Sequence, residues 1–263
     1  MIKKTAIKAM ILIMVLISAV QIPAFADSKF LAVDETHAVV TISYEIDSDS
    51  DLRVAVVHDD GKQFYPLTST GQSFSLPFGD GSYVIGIYER VEGNSFALKA
   101  QEAIKVDLDE QSRFLASAYN VNWNQNDTAI QMAQTLIEGA TSDQEKVERI
   151  HAFVTESIQY DYDKAASIGA GYVPEIDHTV QLGTGICYDY ASLTAAMLRS
   201  VGIPTKLHKG YSDEITSYHA WNTVLVNGEW KLIDTTLDAA NSVEDFTGHM
   251  FKDDSSYNSE KVF

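Results

Sequence analysis

The chain has 263 residues, 45% of them hydrophobic, with 19 basic against 37 acidic side chains, a formal charge of −18 and a single cysteine. This describes a folded protein long enough for one large domain or two small ones. It excludes an intrachain disulfide, and the charge argues against nucleic acid or an anionic surface as a partner held electrostatically.

Residues 1–26 read as a secretory signal. Lys3, Lys4 and Lys8 form its basic end, and Ala9 to Val20 is apolar apart from Ser18. Ala24-Phe25-Ala26 sets small residues at minus three and minus one from a cut before Asp27. The apolar run is short for a membrane span. The expectation is therefore a cleaved leader, a mature chain from residue 27 that is secreted or held at the cell surface, and no stable membrane insertion.

Residues 27–110 read as a β domain. HAVVTISYEI, LRVAVVHDD, KQFYPLT, SFSLPF, SYVIGIYERV and FALKAQEAIKVDL are rich in β-branched and aromatic residues. Asp60-Gly61, Thr70-Gly71, Asp80-Gly81 and Gly93-Asn94 separate them as turns. Six or seven strands in about 75 residues predict an immunoglobulin-like sandwich. Asp47-Ser-Asp49-Ser-Asp51 has the spacing of a calcium loop, but Leu52 stands where glycine is required and His58 where a bidentate glutamate is required, which leaves a solvated turn.

From about Asp109 the periodicity turns helical, so the join between two domains is expected at residues 107–112, with a second domain over 111–263. Asp127 is placed to cap a helix running to about Glu138. Ser142-Asp-Gln-Glu145 is a capping box ahead of the apolar positions Val147, Ile150, Val154 and Ile158. Residues 160–184, with Gly169, Gly171 and Pro174, read as a long irregular loop, a common place for function.

The sole cysteine, Cys187, opens the next helix. Gly183 and Gly185 break the chain before it, Leu193, Met197, Leu198 and Val201 form the apolar stripe, and Gly202 with Pro204 ends it. A helix N-terminus favours a thiolate over a thiol, and its free N–H groups can receive an oxyanion. A small buried core residue is the competing reading.

Residues 218–236 contain the complement. Asn227-Gly228 predicts a two-residue hairpin turn. It pairs Val226 with Glu229, Trp221 with Asp234 and His219 with Thr236. His219 and Asp234 then share a sheet face as diagonal neighbours, roughly 5–8 Å apart at Cβ. An imidazole oriented by a carboxylate is the base half of a catalytic triad. His178 and His208 remain alternatives to His219, while His37, His58, His151 and His249 read as structural.

Together GTGIC (183–187), GIP (202–204), HAWN (219–222) and DTT (234–236), with KGY (209–211) and IQYDYD (158–163), resemble the core of the transglutaminase-like superfamily, as in a secreted bacterial member. The resemblance covers roughly residues 111–240. It implies an α+β chain, a papain-like core preceded by the all-β sandwich, with Cys187, His219 and Asp234 as the triad. Gln181 and Tyr172 are candidates to complete the oxyanion hole. Trp221 either packs beside the triad and limits water access or is an ordinary core residue. No metal and no cofactor are implied.

The expected activity is that of a thiol enzyme forming an acyl-enzyme from a protein or peptide amide, with water preferred over an amine as acceptor. A glutamine transamidase that crosslinks proteins is the alternative, and a non-enzymatic surface or adhesion protein the second. The expected partners are protein or peptide substrates or a cell-wall or cell-surface component, and no nucleic acid.

Overall fold

The chain is α+β, a β-sheet region followed by a mixed core. The computed structural model describes residues 30–107, 111–169, 171–240 and 250–263. The expected leader, His249 and positions 108–110 of the expected join lie outside the described residues.

The first region has seven strands: β1 Leu31–Asp34, β2 Val39–Ile42, β3 Leu52–His58, β4 Gly61–Leu67, β5 Gln72–Ser75, β6 Gly81–Glu92 and β7 Ser95–Val106. They form two antiparallel sheets, ordered β1-β2-β5 and β4-β3-β6-β7. Val40, Ile42 and Phe74 of the first bury with Val54, Val56, Tyr65, Ile85 and Ile87 of the second, and the Tyr65 and Phe74 rings meet at 5.2 Å. Strand β1 was not among those expected. Of its four residues only Leu31 is buried, so it has no alternation to read and is held by pairing with β2.

Residues 112–123 are a seam rather than a free linker. Tyr119 N–H donates to Ser73 O at 2.9 Å, and its ring stacks on Phe74 at 5.5 Å. On the other side Asn120 Nδ2 donates to the Tyr188 hydroxyl at 2.7 Å, and Arg199 Nη1 donates to Ala116 O at 2.7 Å.

The core holds α1 Thr128–Leu136, α2 Asp143–Ser157, β8 Gln159–Tyr160, α3 Tyr162–Ser167, α4 Ile176–Leu182, β9 Thr184–Gly185 and α5 Cys187–Ser200. Asp127 stands at the N-cap of α1 as expected, but its carboxylate accepts Asn124 N–H at 2.9 Å and makes no bond to the helix. Asp177 of α4 accepts Thr128 and Ala129 N–H at 2.9 Å each. Ser142 Oγ accepts Glu145 N–H at 3.2 Å, so α2 starts where its capping box places it. The expected irregular loop over 160–184 is instead two short helices and a parallel β8–β9 pair. Asp161 caps α3 through Lys164 N–H at 2.9 Å, and left-handed Gly183 closes α4. Helices of six and seven residues are too short to show a period.

The remaining elements are β10 Thr205–Ser212, β11 His219–Val226, β12 Glu229–Ile233, α6 Thr235–Ala240, β13 Phe251–Lys252 and β14 Tyr257–Val262. The sheet is antiparallel in the order β13-β12-β11-β10-β14. The β11–β12 turn has Asn227 and Gly228 at φ of 56° and 80°, the pair of positive values a type I′ turn needs. Helix α5 lies on β10 and β11, with α1, α2, α4 and α6 against its other sides. The helix is buried along nearly its whole length. At its far end Arg199 gathers the carbonyls of Thr205, Ala116 and Phe263 at 2.7–2.9 Å.

Candidate active site

Cys187 is the first residue of α5, after Ile186 at the N-cap, and its side chain is partly exposed. In this position Cys187 and Tyr188 N–H have no acceptor within their own helix. His219 is the first residue of β11 and is 2% exposed. Its Nε2 lies 2.8 Å from Asp234 Oδ2, and the Cys187 side chain is near enough to favour the charged imidazole. With Nε2 engaged by the carboxylate, Nδ1 is the nitrogen left for the sulfur.

Asp234 does not reach His219 as the predicted cross-strand neighbour. The β11–β12 ladder keeps the expected register from Val226↔Glu229 to Asn222↔Ile233 and then ends. Residues 235–240 are helix α6, so Thr236 does not face His219. Asp234 stands at the junction, where its Oδ1 accepts Leu237 N–H at 3.1 Å and starts the helix. Its Oδ2 accepts the Tyr257 hydroxyl at 3.0 Å from the edge strand β14. Fully buried, the carboxylate thus meets a backbone donor, a phenol and the imidazole.

Burial opposes charge on His219. The hydrogen bond to Asp234, the nearby Cys187 side chain and the negative charge of both outweigh it and bring His219 up to about 9. Below that pH the imidazole is charged, and an imidazolium beside the sulfur favours thiolate.

The other expected residues fall in different places. Trp221 is buried and lies between two imidazoles, 5.7 Å from His208 and 6.0 Å from His219, with Tyr257 tilted on it at 5.1 Å. His208 is held by Ser259 Oγ at 3.0 Å and Thr223 Oγ1 at 2.9 Å. Burial, with Lys206 nearby, pushes it down to about 4. His178 and Gln181 are exposed on α4. The Tyr172 hydroxyl donates to Asp189, so its proton is committed there. His151 belongs to a different pair, its Nε2 2.9 Å from Asp238 Oδ2, which ties α2 to α6.

Three residues of the site were given no role by sequence reasoning, although Lys209 stands within the KGY motif. Tyr257 sits in a polar stretch with no motif. Lys209 lies over the Tyr188 ring at 3.2 Å. Burial and the charge of Lys261 push it down to about 7, against a smaller opposing pull from Cys187. Asp189 was legible in principle, since a carboxylate three residues past an N-cap is half of a capping box, and here it accepts Ile186 N–H.

Comparison with known proteins follows the same segment. The pattern defining the transglutaminase-like superfamily core matches residues 130–235, which include Cys187, His219 and Asp234. A UPF0252 protein of Methanocaldococcus jannaschii is 34% identical over 98 residues, a stretch spanning 34% of this chain and 28% of that protein. Among solved structures, a candidate cysteine protease from Cytophaga hutchinsonii is 16% identical, with a TM-score of 0.43 over 72% of this chain and 65% of that one. Red sea bream transglutaminase is 11% identical, with a TM-score of 0.32 over 75% and 48%.

Proposed function

We propose, from the match of residues 130–235 to the transglutaminase-like superfamily core, that the protein is a thiol enzyme that opens protein or peptide amides through an acyl-enzyme on Cys187. The observation that carries this reading is the chain of contacts from the Asp234 carboxylate through His219 to the thiol at the head of α5. In the proposed cycle the Cys187 thiolate attacks the amide carbonyl, and the first-turn N–H groups of α5 receive the oxyanion. His219 gives its proton to the departing amine, becomes a neutral base held in one tautomer by Asp234, and takes a proton from water to release the acid. Trp221 walls the imidazole on one side.

Water is the preferred acceptor in this reading, since transfer to a dilute amine needs a site that excludes water and binds the amine. Export by the 1–26 leader, an immunoglobulin-like role for residues 27–110 and a cell-wall or cell-surface substrate complete the proposal.

Two measurements test it. Mass spectrometry after treatment with an amide-mimicking electrophile is expected to show one adduct, on Cys187, lost in His219→Ala at neutral pH. A glutamine-containing protein offered with a labelled primary amine is expected to show Cys187-dependent ammonia release or chain cleavage exceeding label incorporation. Incorporation with little hydrolysis would reverse the order of acceptors. No adduct on the native protein would leave the fold as a scaffold for binding.

A further inference from the structure

Beneath the nucleophile lies a carboxylate with no part in the acyl-transfer cycle. Asp189, two residues after Cys187 on α5, is 0% exposed. Its Oδ2 accepts Ile186 N–H at 2.8 Å and Lys164 Nζ at 2.7 Å, and its Oδ1 accepts the Tyr172 hydroxyl. Lys164 Nζ also donates to the Tyr172 oxygen at 2.7 Å and closes a ring of three side chains. The carboxylate is pressed against the backbone that leads into Cys187, since a Cβ added at Gly185 would lie 2.7 Å from Asp189 Cβ.

The placement presents an electrostatic problem. A thiolate at Cys187 and a carboxylate at Asp189 would share one helix terminus, and neighbouring like charges raise each other's proton affinity. Around Cys187 stand His219 from β11, Lys209 from β10 and Tyr160 from β8, and Tyr160 also feels the charge of Asp189, two residues further along α5. Only Asp189 among them brings a fixed negative charge, and Lys164 of α3 is the cation placed on it.

We propose, on the reading of Cys187 as a nucleophile, that Asp189 is a positioning residue for the thiol and Lys164 its counter-charge. Asp189 fixes the first turn of α5 by capping Ile186 N–H. Lys164, braced by Tyr172, cancels the charge that this fixing would otherwise set beside the thiolate. The segment from α3 to Tyr172 thereby sets the reactivity of a sulfur that it does not touch.

The test is the pH profile of iodoacetamide alkylation of the full-length protein. Lys164→Met is expected to shift the thiol midpoint upward by about one unit, making alkylation near pH 6 about tenfold slower. Lys164→Arg keeps the charge and is expected to stay near wild type. The decisive variant combines Lys164→Met with Asp189→Asn. An amide still accepts the Ile186 N–H but carries no charge, so the double variant is expected to regain the wild-type profile. A purely structural ring would make the double variant as slow as Lys164→Met or slower, and that result overturns the proposal, as does an unshifted Lys164→Met.

Circular dichroism identifies variants that fail to fold. In that case Tyr172→Phe, which removes one donor from the carboxylate, is expected to give a smaller upward shift, and no shift overturns the idea. Failure of the nucleophile reading itself looks different: wild-type protein would then show an ordinary thiol midpoint, unchanged by His219→Ala.

Discussion

His219 is raised while buried, and this ties stability to pH in a definite direction. Its folded value of about 9 stands above its ordinary 6.5, so between those values the folded state holds a proton that the unfolded state has released. Stability from the imidazolium is complete below about pH 6.5 and is lost as pH rises through about 9. Urea unfolding from pH 6 to pH 10 is expected to show the wild-type midpoint falling across that window. His219→Gln is expected to remove most of that fall and to be less stable than wild type at pH 6. Parallel curves for the two proteins would show that the imidazole is neutral in the fold. The same residue shows how far sequence pairing carries. Its partnership with Asp234 was legible from the hairpin register, but its route was not, because Asp234 leaves the ladder to start α6.

Among the elements, legibility followed length and punctuation. Helix α5 announced itself by glycines before it, an apolar stripe within it and Gly-Ile-Pro after it, and the Asn227-Gly228 turn fixed the β11–β12 register residue by residue. The short helices α3 and α4 showed no period and were read as loop. Strand β14 is mostly exposed and polar, so its place on the sheet comes from pairing with β10 and not from any pattern of its own. The N-terminus of α1 depends on a side chain distant in sequence, which no local rule can find. Removing that cap in Asp177→Ala is expected to cost about 1 kcal/mol by chemical denaturation. Asp127→Ala, at the position that local rules favour, is expected to cost less. The reverse order would return the cap to Asp127.

Across the whole molecule, the composition change near residue 109 marks a real shift from strands to helices, yet the two parts meet along the 112–123 seam. Tyr119 lies against Tyr65 and Phe74 of the β region, while its neighbour Asn120 holds Tyr188 of α5. A fragment beginning at residue 111 keeps every residue of the proposed triad and the helices around α5. It is expected to fold and to retain Cys187 labelling. It is also expected to be less stable than the full chain, by roughly 2 kcal/mol for the Tyr119 ring it uncovers. Comparing urea unfolding and alkylation of fragment and full chain checks this. A fragment that folds with an unreactive thiol would make the β region part of the site.

The strand that steadies Asp234 also sets an order in time. Synthesis runs from the first residue to the last, so Cys187, His219 and Asp234 all emerge before Tyr257, whose hydroxyl binds the Asp234 carboxylate, and before Phe263, whose carbonyl Arg199 holds from the far end of α5. A growing chain therefore carries its sulfur and its base while the sheet edge that seats them is still missing. On the proposed activity, the amides nearest to that sulfur are those of its own unfolded length, and late completion of the site is the arrangement that would spare them.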